Sequence, residues 1–343
     1  MKILVGISGG VDSAFAANLL IERGHSVTGC ILSMHEWSDA KGAETVCGEL
    51  GIELIKLDCT ERFNRIVKAD FVNEYSRGRT PNPCIICNEQ VKFAALYEYA
   101  TQNGFDMIAT GHYAKISSEE IDGAKRFFLE CADDSKKDQT YMLYRLPEHI
   151  LAKTMFPLGS LTKDEVRRLS ALHGLSAADA KDSQEICFLP DGGYAEYIES
   201  VKGKSKPGSF VDAEGNVLGE HKGIIRYTVG QRKGLGIALG RRMFVSAIDP
   251  EANTVTLSDK IKGKNTVKIS DIILSKGIKT EQLTHLELYA KLRYTAPLVR
   301  VRAELKDSKE AVLYTDDEVK AAPGQSAVIY SNGRVIFGGI IDG

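Results

Sequence analysis

Apolar runs of strand length and amphipathic runs of helix length alternate through the first hundred residues. Lys2–Ser8, Ser26–Leu32, Ile52–Asp58 and Phe105–Thr110 read as buried strands, and Val11–Arg23, Asp39–Leu50 and Thr60–Tyr75 as the helices between them. Continuous apolar strands separated by helices predict an α/β doubly wound parallel sheet. Arg77–Cys87 breaks the rhythm with Gly78, Pro81 and Pro83 and predicts a loop between two helices, a usual place for function on such a scaffold. Thr162–His173 has a helical period, with a capping Thr162 and a stop at Gly174, and Tyr194–Val201 forms a last short helix.

The period changes at Gly203. Lys204–Gly208 reads as a linker, followed by short β-rich runs at Ser209–Asp212, Arg241–Asp249 and Thr254–Leu257. A second β-rich unit begins near Thr266, with strands expected at Leu286–Arg293, Val299–Leu305, Glu310–Tyr314 and Ser326–Tyr330. Short strands between Gly and Pro turns suggest small barrels or sandwiches. The expected organisation is residues 1–202 as an α/β domain, 203–265 as a small β-rich domain and 266–343 as a second β-rich domain.

Charge sharpens this division. The chain of 343 residues carries a net charge of −2, yet Val201–Arg302 holds 19 Lys+Arg against 9 Asp+Glu, a local +10 that leaves −12 elsewhere. A basic half on an acidic chain is the footprint of a phosphate-backbone partner, although solvated lysines on small β domains would look similar. No apolar run approaches the ~20 residues of a membrane span, so a cytoplasmic protein with no membrane partner is expected. Seven cysteines are too sparse for a disulfide scaffold, and those standing in motifs read better as catalytic or metal-binding.

Three segments carry candidate chemistry. Ser8-Gly9-Gly10-Val11-Asp12-Ser13 lies between a predicted strand and a helix, where glycines let backbone N–H groups approach an oxyanion and the helix dipole assists. Asp12 suits a magnesium ion or a helix cap. The segment lacks the lysine of a Walker loop and has the form of the PP-loop of ATP pyrophosphatases. Cys84-Ile85-Ile86-Cys87 precedes a helix, whose N-terminus lowers a thiol's pKa; the spacing fits a zinc half-site, a redox pair or iron–sulfur ligands. Cys187 follows the polar run Lys181–Glu185. Cys30, Cys47, Cys59 and Cys131 fall within strand or helix patterns and read as structural. Weaker signals are Gly111-His112-Tyr113 after a strand, Lys137-Asp138-Gln139, the basic loop Gly230–Gly236, Arg293-Tyr294 and Gly324-Gln325-Ser326. These motifs leave open a nitrogen-transferring PP-loop ligase, which would have no need of the cysteines, and a non-catalytic RNA-binding adaptor on a retired PP-loop.

Taken together, the segments resemble the bacterial tRNA-specific 2-thiouridylase family over nearly the whole chain. The resemblance implies a PP-loop domain, a small central domain and a C-terminal β-barrel, acting on the wobble uridine of tRNA. Gly6, Ile7, Ser8, Gly9, Gly10, Val11, Asp12, Ser13, Met34 and Gly111 would then bind ATP with Mg²⁺. Cys87 would be the nucleophile and Cys187 the persulfide carrier, the pair ending as a disulfide that a reductant reopens. Asn82, Pro83 and Cys84 would meet the target base, and His112, Lys137, Asp138, Gln139, Arg293, Tyr294 and Gln325 the tRNA. A sulfur donor, whether a cysteine desulfurase, a sulfur-relay protein or inorganic sulfide, is implied as a partner.

This chain departs from the family's pattern in two places. The segment Trp37–Cys47 is short, and Cys84 stands where many members carry Asp. Cys84, Cys87 and Cys187 also resemble the ligand set of iron–sulfur-dependent thiolases, in which three thiolates hold a [4Fe–4S] cluster with one iron open.

Overall fold

The computed structural model describes residues 1–35, 39–179, 186–189, 193–260 and 263–342. The polar run Lys181–Glu185 therefore lies outside the described residues. The N-terminal part holds a five-stranded parallel sheet in the order Leu54–Asp58, Ser26–Ser33, Lys2–Gly6, Met107–Thr110, Thr154–Met155. Ile3, Leu4 and Val5 are wholly buried because helices cover both sheet faces, which explains an apolar run without alternation. The helices Val11–Glu22 and Lys163–Leu172 pack together on one face. A capping box at Thr162, with Glu165 answering it, starts the second of these as its sequence predicts.

The central unit is a four-stranded sheet in the order Phe244–Asp249, Thr254–Ser258, Gly208–Val211, Val217–His221. In the C-terminal unit Lys264–Leu274, Ala311–Val319, Val299–Leu305, Leu288–Lys291, Ser326–Ser331 and Arg334–Ile341 form an antiparallel barrel, closed by pairing of its last strand with its first. Closure removes the sheet edges that strands this apolar would otherwise expose.

Two features differ from the expected modular plan. Lys115–Ile121 and Ala124–Glu130 form a hairpin turned at Asp122-Gly123, both with positive φ, as a two-residue turn of this type requires. Although it belongs by sequence to the first domain, the hairpin joins the barrel sheet through Glu130 and Arg334. Hydrophobic cores are also shared between units. Leu4, Ile85, Phe93 and Tyr141 pack in one cluster with Val328, Tyr330 and Val335 of the barrel, and Cys59, Phe71 and Cys87 in another with Ile225 of the central unit. Among the described residues no helix is long and apolar enough to cross a membrane.

Candidate functional site: a PP-loop beside a thiol recess

The PP-loop follows the strand Lys2–Gly6 and enters the helix Val11–Glu22. Ser8 N–H donates to Ser13 Oγ at 3.1 Å, and Ser13 Oγ donates to the Gly10 carbonyl at 3.0 Å, which folds the turn on itself. No side chain caps the helix at Gly10, so its first-turn amides are left to face an oxyanion. Gly111 closes the opposite side: a Cβ there would stand 2.6 Å from the Asp12 carbonyl carbon, and the strand end therefore reaches the loop only as glycine.

Asp12 is already engaged. Lys163 Nζ donates to both carboxylate oxygens at 2.7 Å, and Tyr113 Oη donates to Oδ1 at 2.8 Å. With its charge committed to a buried lysine, Asp12 does not fit a dedicated Mg²⁺ ligand. Lys163 is a site residue that sequence reading missed, since its partner is 151 positions away and only the helix start was visible.

The cysteine segment differs from expectation in its local structure. Rather than preceding a helix, Cys84 and Cys87 lie in its first turns, Pro83–Cys87. Asn82 supplies the cap by accepting from the Cys84 N–H at 3.2 Å, and Pro83 fills the first position, where no N–H is needed. The helix widens into a π turn at Asn88–Lys92, a departure often found at functional sites.

Cys84 and Cys187 are exposed, whereas Cys87 is buried with its Sγ 3.6 Å from Met34 Sδ. Burial pushes the Cys87 thiol up to about 12, and the neighbouring Cys187 and Cys84 add to the rise while Lys92 opposes it. Although both residues expose surface, partial loss of water around the sulfur likewise raises Cys84 and Cys187, again with Lys92 acting against it. The three thiols and Lys92 therefore share one recess, and Lys92, which sequence reading did not single out, is the cation common to all three. All three cysteines are free thiols. Among the described residues no three His, Cys, Asp or Glu side chains are gathered closely enough to hold a metal ion.

His112 links the recess to the PP-loop. It follows Gly111, bonds Thr110 Oγ1 through Nδ1 at 2.9 Å and packs against Phe93 and Phe156. Its imidazole is pushed down to about 3, chiefly by burial and then by Lys92. It is therefore neutral at physiological pH, a donor or acceptor rather than a cation.

The remaining candidates divide by role. Buried Asp138 accepts from Ala132 N–H and Thr140 Oγ1 and so ties its own turn together, whereas Gln139 bonds Tyr113 through both backbone and side chain and braces the segment that follows Gly111. Lys137 is partly exposed. Arg293 and Tyr294 lie on a barrel turn, Arg293 exposed and Tyr294 beside Tyr141, with Asp138 and Cys84 near enough to help burial raise the Tyr294 phenol. Gln325 is buried and donates to the Thr80 carbonyl. A separate cavity of ≈ 520 Å³ in the central unit, lined by Arg232, Arg241, Arg242, Leu235, Ile237 and Met243 among others, shares no lining residue with this site.

A parallel-sheet PP-loop domain carrying three free motif cysteines, continued by two β units, is the class of protein that this fold and site define. Family models match it throughout: a tRNA methyl transferase HUP domain over residues 1–191, a tRNA methyl transferase PRC-barrel domain over 195–259 and an aminomethyltransferase beta-barrel domain over 267–341. The tRNA-specific 2-thiouridylase MnmA of Treponema denticola is 41% identical across 100% of this chain and 98% of its own length. That of Clostridium perfringens is 42% identical across 99% and 98%. The chain belongs to the tRNA-specific 2-thiouridylase family. Among solved structures, a 4-thiouridine synthetase–RNA complex with bound ATP aligns over 54% of this chain and 44% of that one, at 16% identity and a TM-score of 0.38, and adds no weight.

Proposed function

We propose that this protein binds ATP at Gly6–Ser13, adenylates the C2 oxygen of the wobble uridine in tRNA and replaces that oxygen with sulfur passed through Cys187 and Cys87. The observation that carries the reading is the adjacency of the PP-loop and the thiol recess, linked by Gly111-His112 and Lys92. A carbonyl oxygen is a poor leaving group, and adenylation converts it to one that departs as AMP. Mg²⁺ would arrive on the ATP phosphates, since Asp12 is held by Lys163. A Cys187 persulfide, loaded by transfer of the outer sulfur from a donor protein's persulfide with release of the donor thiol, yields to attack by Cys87. This forms the Cys87–Cys187 disulfide and releases hydrosulfide, which attacks C2, and a reductant supplies two electrons to restore the thiols. Lys92 is placed to offset the burial that holds Cys87 protonated. The basic central and C-terminal segments would grip the tRNA backbone while the unstacked base enters the recess.

A second reading rests on Cys84, whose charge acts on Cys187: a [4Fe–4S] cluster on the three cysteines. Iron and sulfide analysis of anaerobically purified protein, with thiolation assays of Cys87→Ser and Cys84→Ala, tests both. Iron-free protein that is active, inactive as Cys87→Ser and substantially active as Cys84→Ala supports the relay. About four irons per chain and an inactive Cys84→Ala overturn it in favour of the cluster. ATP cleavage that needs a small amino acid instead of tRNA sinks both.

A further inference from the structure

Thr80, four residues before Cys84, is held from two other units at once. Its N–H donates to the Pro323 carbonyl at 2.8 Å, its carbonyl accepts from Gln325 Nε2 at 2.7 Å, and its hydroxyl donates to Thr228 Oγ1 at 3.3 Å. Gln325 is only 8% exposed, so its amide is turned to Thr80 and presents little surface to an RNA. Gly324 has φ +88°, and a Cβ there would stand 2.8 Å from Thr80 N, so the loop approaches the barrel only where no side chain intervenes.

Beyond Thr80, Asn82 caps the cysteine helix. Farther along that helix Glu89 pairs with buried Arg145, which also reaches Asp271 of the barrel. The barrel thus holds the cysteine segment on both sides of Cys84 and Cys87.

We propose that Gln325 is a positioning residue for sulfur transfer, fixing through the Thr80 carbonyl the segment that presents Cys84 and Cys87. The proposal rests on the sulfurtransferase reading above. It gives the barrel a second task besides meeting RNA: a barrel displaced from Thr80 leaves the thiols out of register with the PP-loop. A buried amide donor facing a carbonyl is also sensitive to chemical change, because a carboxylate of the same shape would repel that carbonyl.

The test compares full-length wild type with Gln325→Glu, Gln325→Ala and Gly324→Ala. Three quantities are measured: the single-turnover thiolation rate at saturating ATP and tRNA, the tRNA dissociation constant, and iodoacetamide labelling of Cys84 and Cys87 in the free protein. Loss of one buried hydrogen bond predicts a saturating rate lower by about tenfold and tRNA affinity within about twofold of wild type. Labelling of Cys84 should rise severalfold in all three variants. Weaker tRNA binding with an unchanged saturating rate and unchanged labelling overturns the proposal, since Gln325 would then act on RNA. Unchanged values of all three quantities overturn it as well. A wild-type chain without ATP-dependent thiolation removes the functional reading instead, and the labelling comparison still decides whether Gln325 holds the cysteine segment. Gly324→Ala reaches the same contact from the other partner, which keeps the test open if one Gln325 variant fails to fold.

Discussion

The PP-loop and the cysteine segment lie side by side but are built in opposite ways. The PP-loop closes on itself: Ser8, Gly10 and Ser13 bond one another within six residues, and the strand and helix that flank it are adjacent in sequence. The cysteine segment is positioned by residues far from it in sequence, among them Thr228, Pro323, Gln325 and Asp271. Nucleotide binding is therefore a property of one domain, whereas thiol placement belongs to the whole chain. A sulfurtransferase built this way can have an intact ATP site and still misplace its thiols.

The largest effect should come from breaking the local half. Gly111→Ala places a Cβ 2.6 Å from the Asp12 carbonyl carbon and drives the strand end away from the helix start. Thiolation should fall by about 100-fold, the scale of an ångström-level misplacement at a reacting centre, with ATP binding lost in calorimetry. Iodoacetamide labelling of Cys84 should stay at the wild-type rate. Faster labelling would show that the two halves are not independent.

Arg145→Met breaks the distributed half. It strands Glu89 beside a guanidinium site that is 9% exposed, while Asp271, 66% exposed, is recovered by water. Destabilisation of about 2–3 kcal/mol in urea is expected, below the full cost of a wholly buried pair because one partner is solvated. ATP affinity should hold while thiol labelling accelerates. A loss of ATP affinity equal to the loss of thiolation would erase the distinction between the halves.

Lys163→Met probes the ion pair that holds the PP-loop's Asp12 from a distant helix. Removing the ammonium leaves the Asp12 carboxylate facing the incoming phosphates, and ATP affinity should weaken by about tenfold at a partly exposed pair. Asp12→Asn combined with Lys163→Met should recover much of that loss, because the double variant restores local neutrality. Failure of the double variant to recover any affinity would mean that Lys163 contacts the nucleotide directly.

What could be read in the sequence follows the same division. Ser8–Ser13 was legible because its chemistry, glycines and flanking periods are contiguous, and Thr162 announced its helix through a capping box four residues long. The hairpin Lys115–Glu130 was missed although Asp122-Gly123 is a turn signal, because Lys115-Ile116-Ser117-Ser118-Glu119-Glu120 has too few apolar residues to alternate visibly. The strand expected at Leu286–Arg293 shrinks to Leu288–Lys291, leaving Arg293 and Tyr294 on the turn that faces the recess. Gln325 stood in a recognisable motif, but its partner is 245 positions away, and no local pattern encodes such a bond. Lys92 was hidden for a related reason: a lysine on a helix is ordinary until the fold sets three thiols and a histidine around it.

The smallest effect concerns His112, at the seam between the halves. Its folded pKa of about 3 lies below the ordinary 6.5, so the unfolded chain takes up the proton first as pH falls. The stability linked to neutral His112 is therefore present above about 6.5 and is lost progressively towards 3. Because the residue is partly exposed, about 1 kcal/mol between pH 7 and 5.5 is expected from this group. Asp70 works in the opposite sense. Burial and Glu74 raise it to about 6, so its contribution is present below about 3.8 and is lost as pH rises through about 6. Acidification thus regains from Asp70 part of what it loses at His112, and the wild-type profile alone will look flat. Urea unfolding of wild type and His112→Gln at both pH values separates them: the variant should keep the Asp70 gain and lack the His112 loss, becoming relatively more stable at pH 5.5. Parallel profiles for the two proteins would mean that the imidazole is solvated as the recess opens, and that the seam between PP-loop and thiols is not closed in solution.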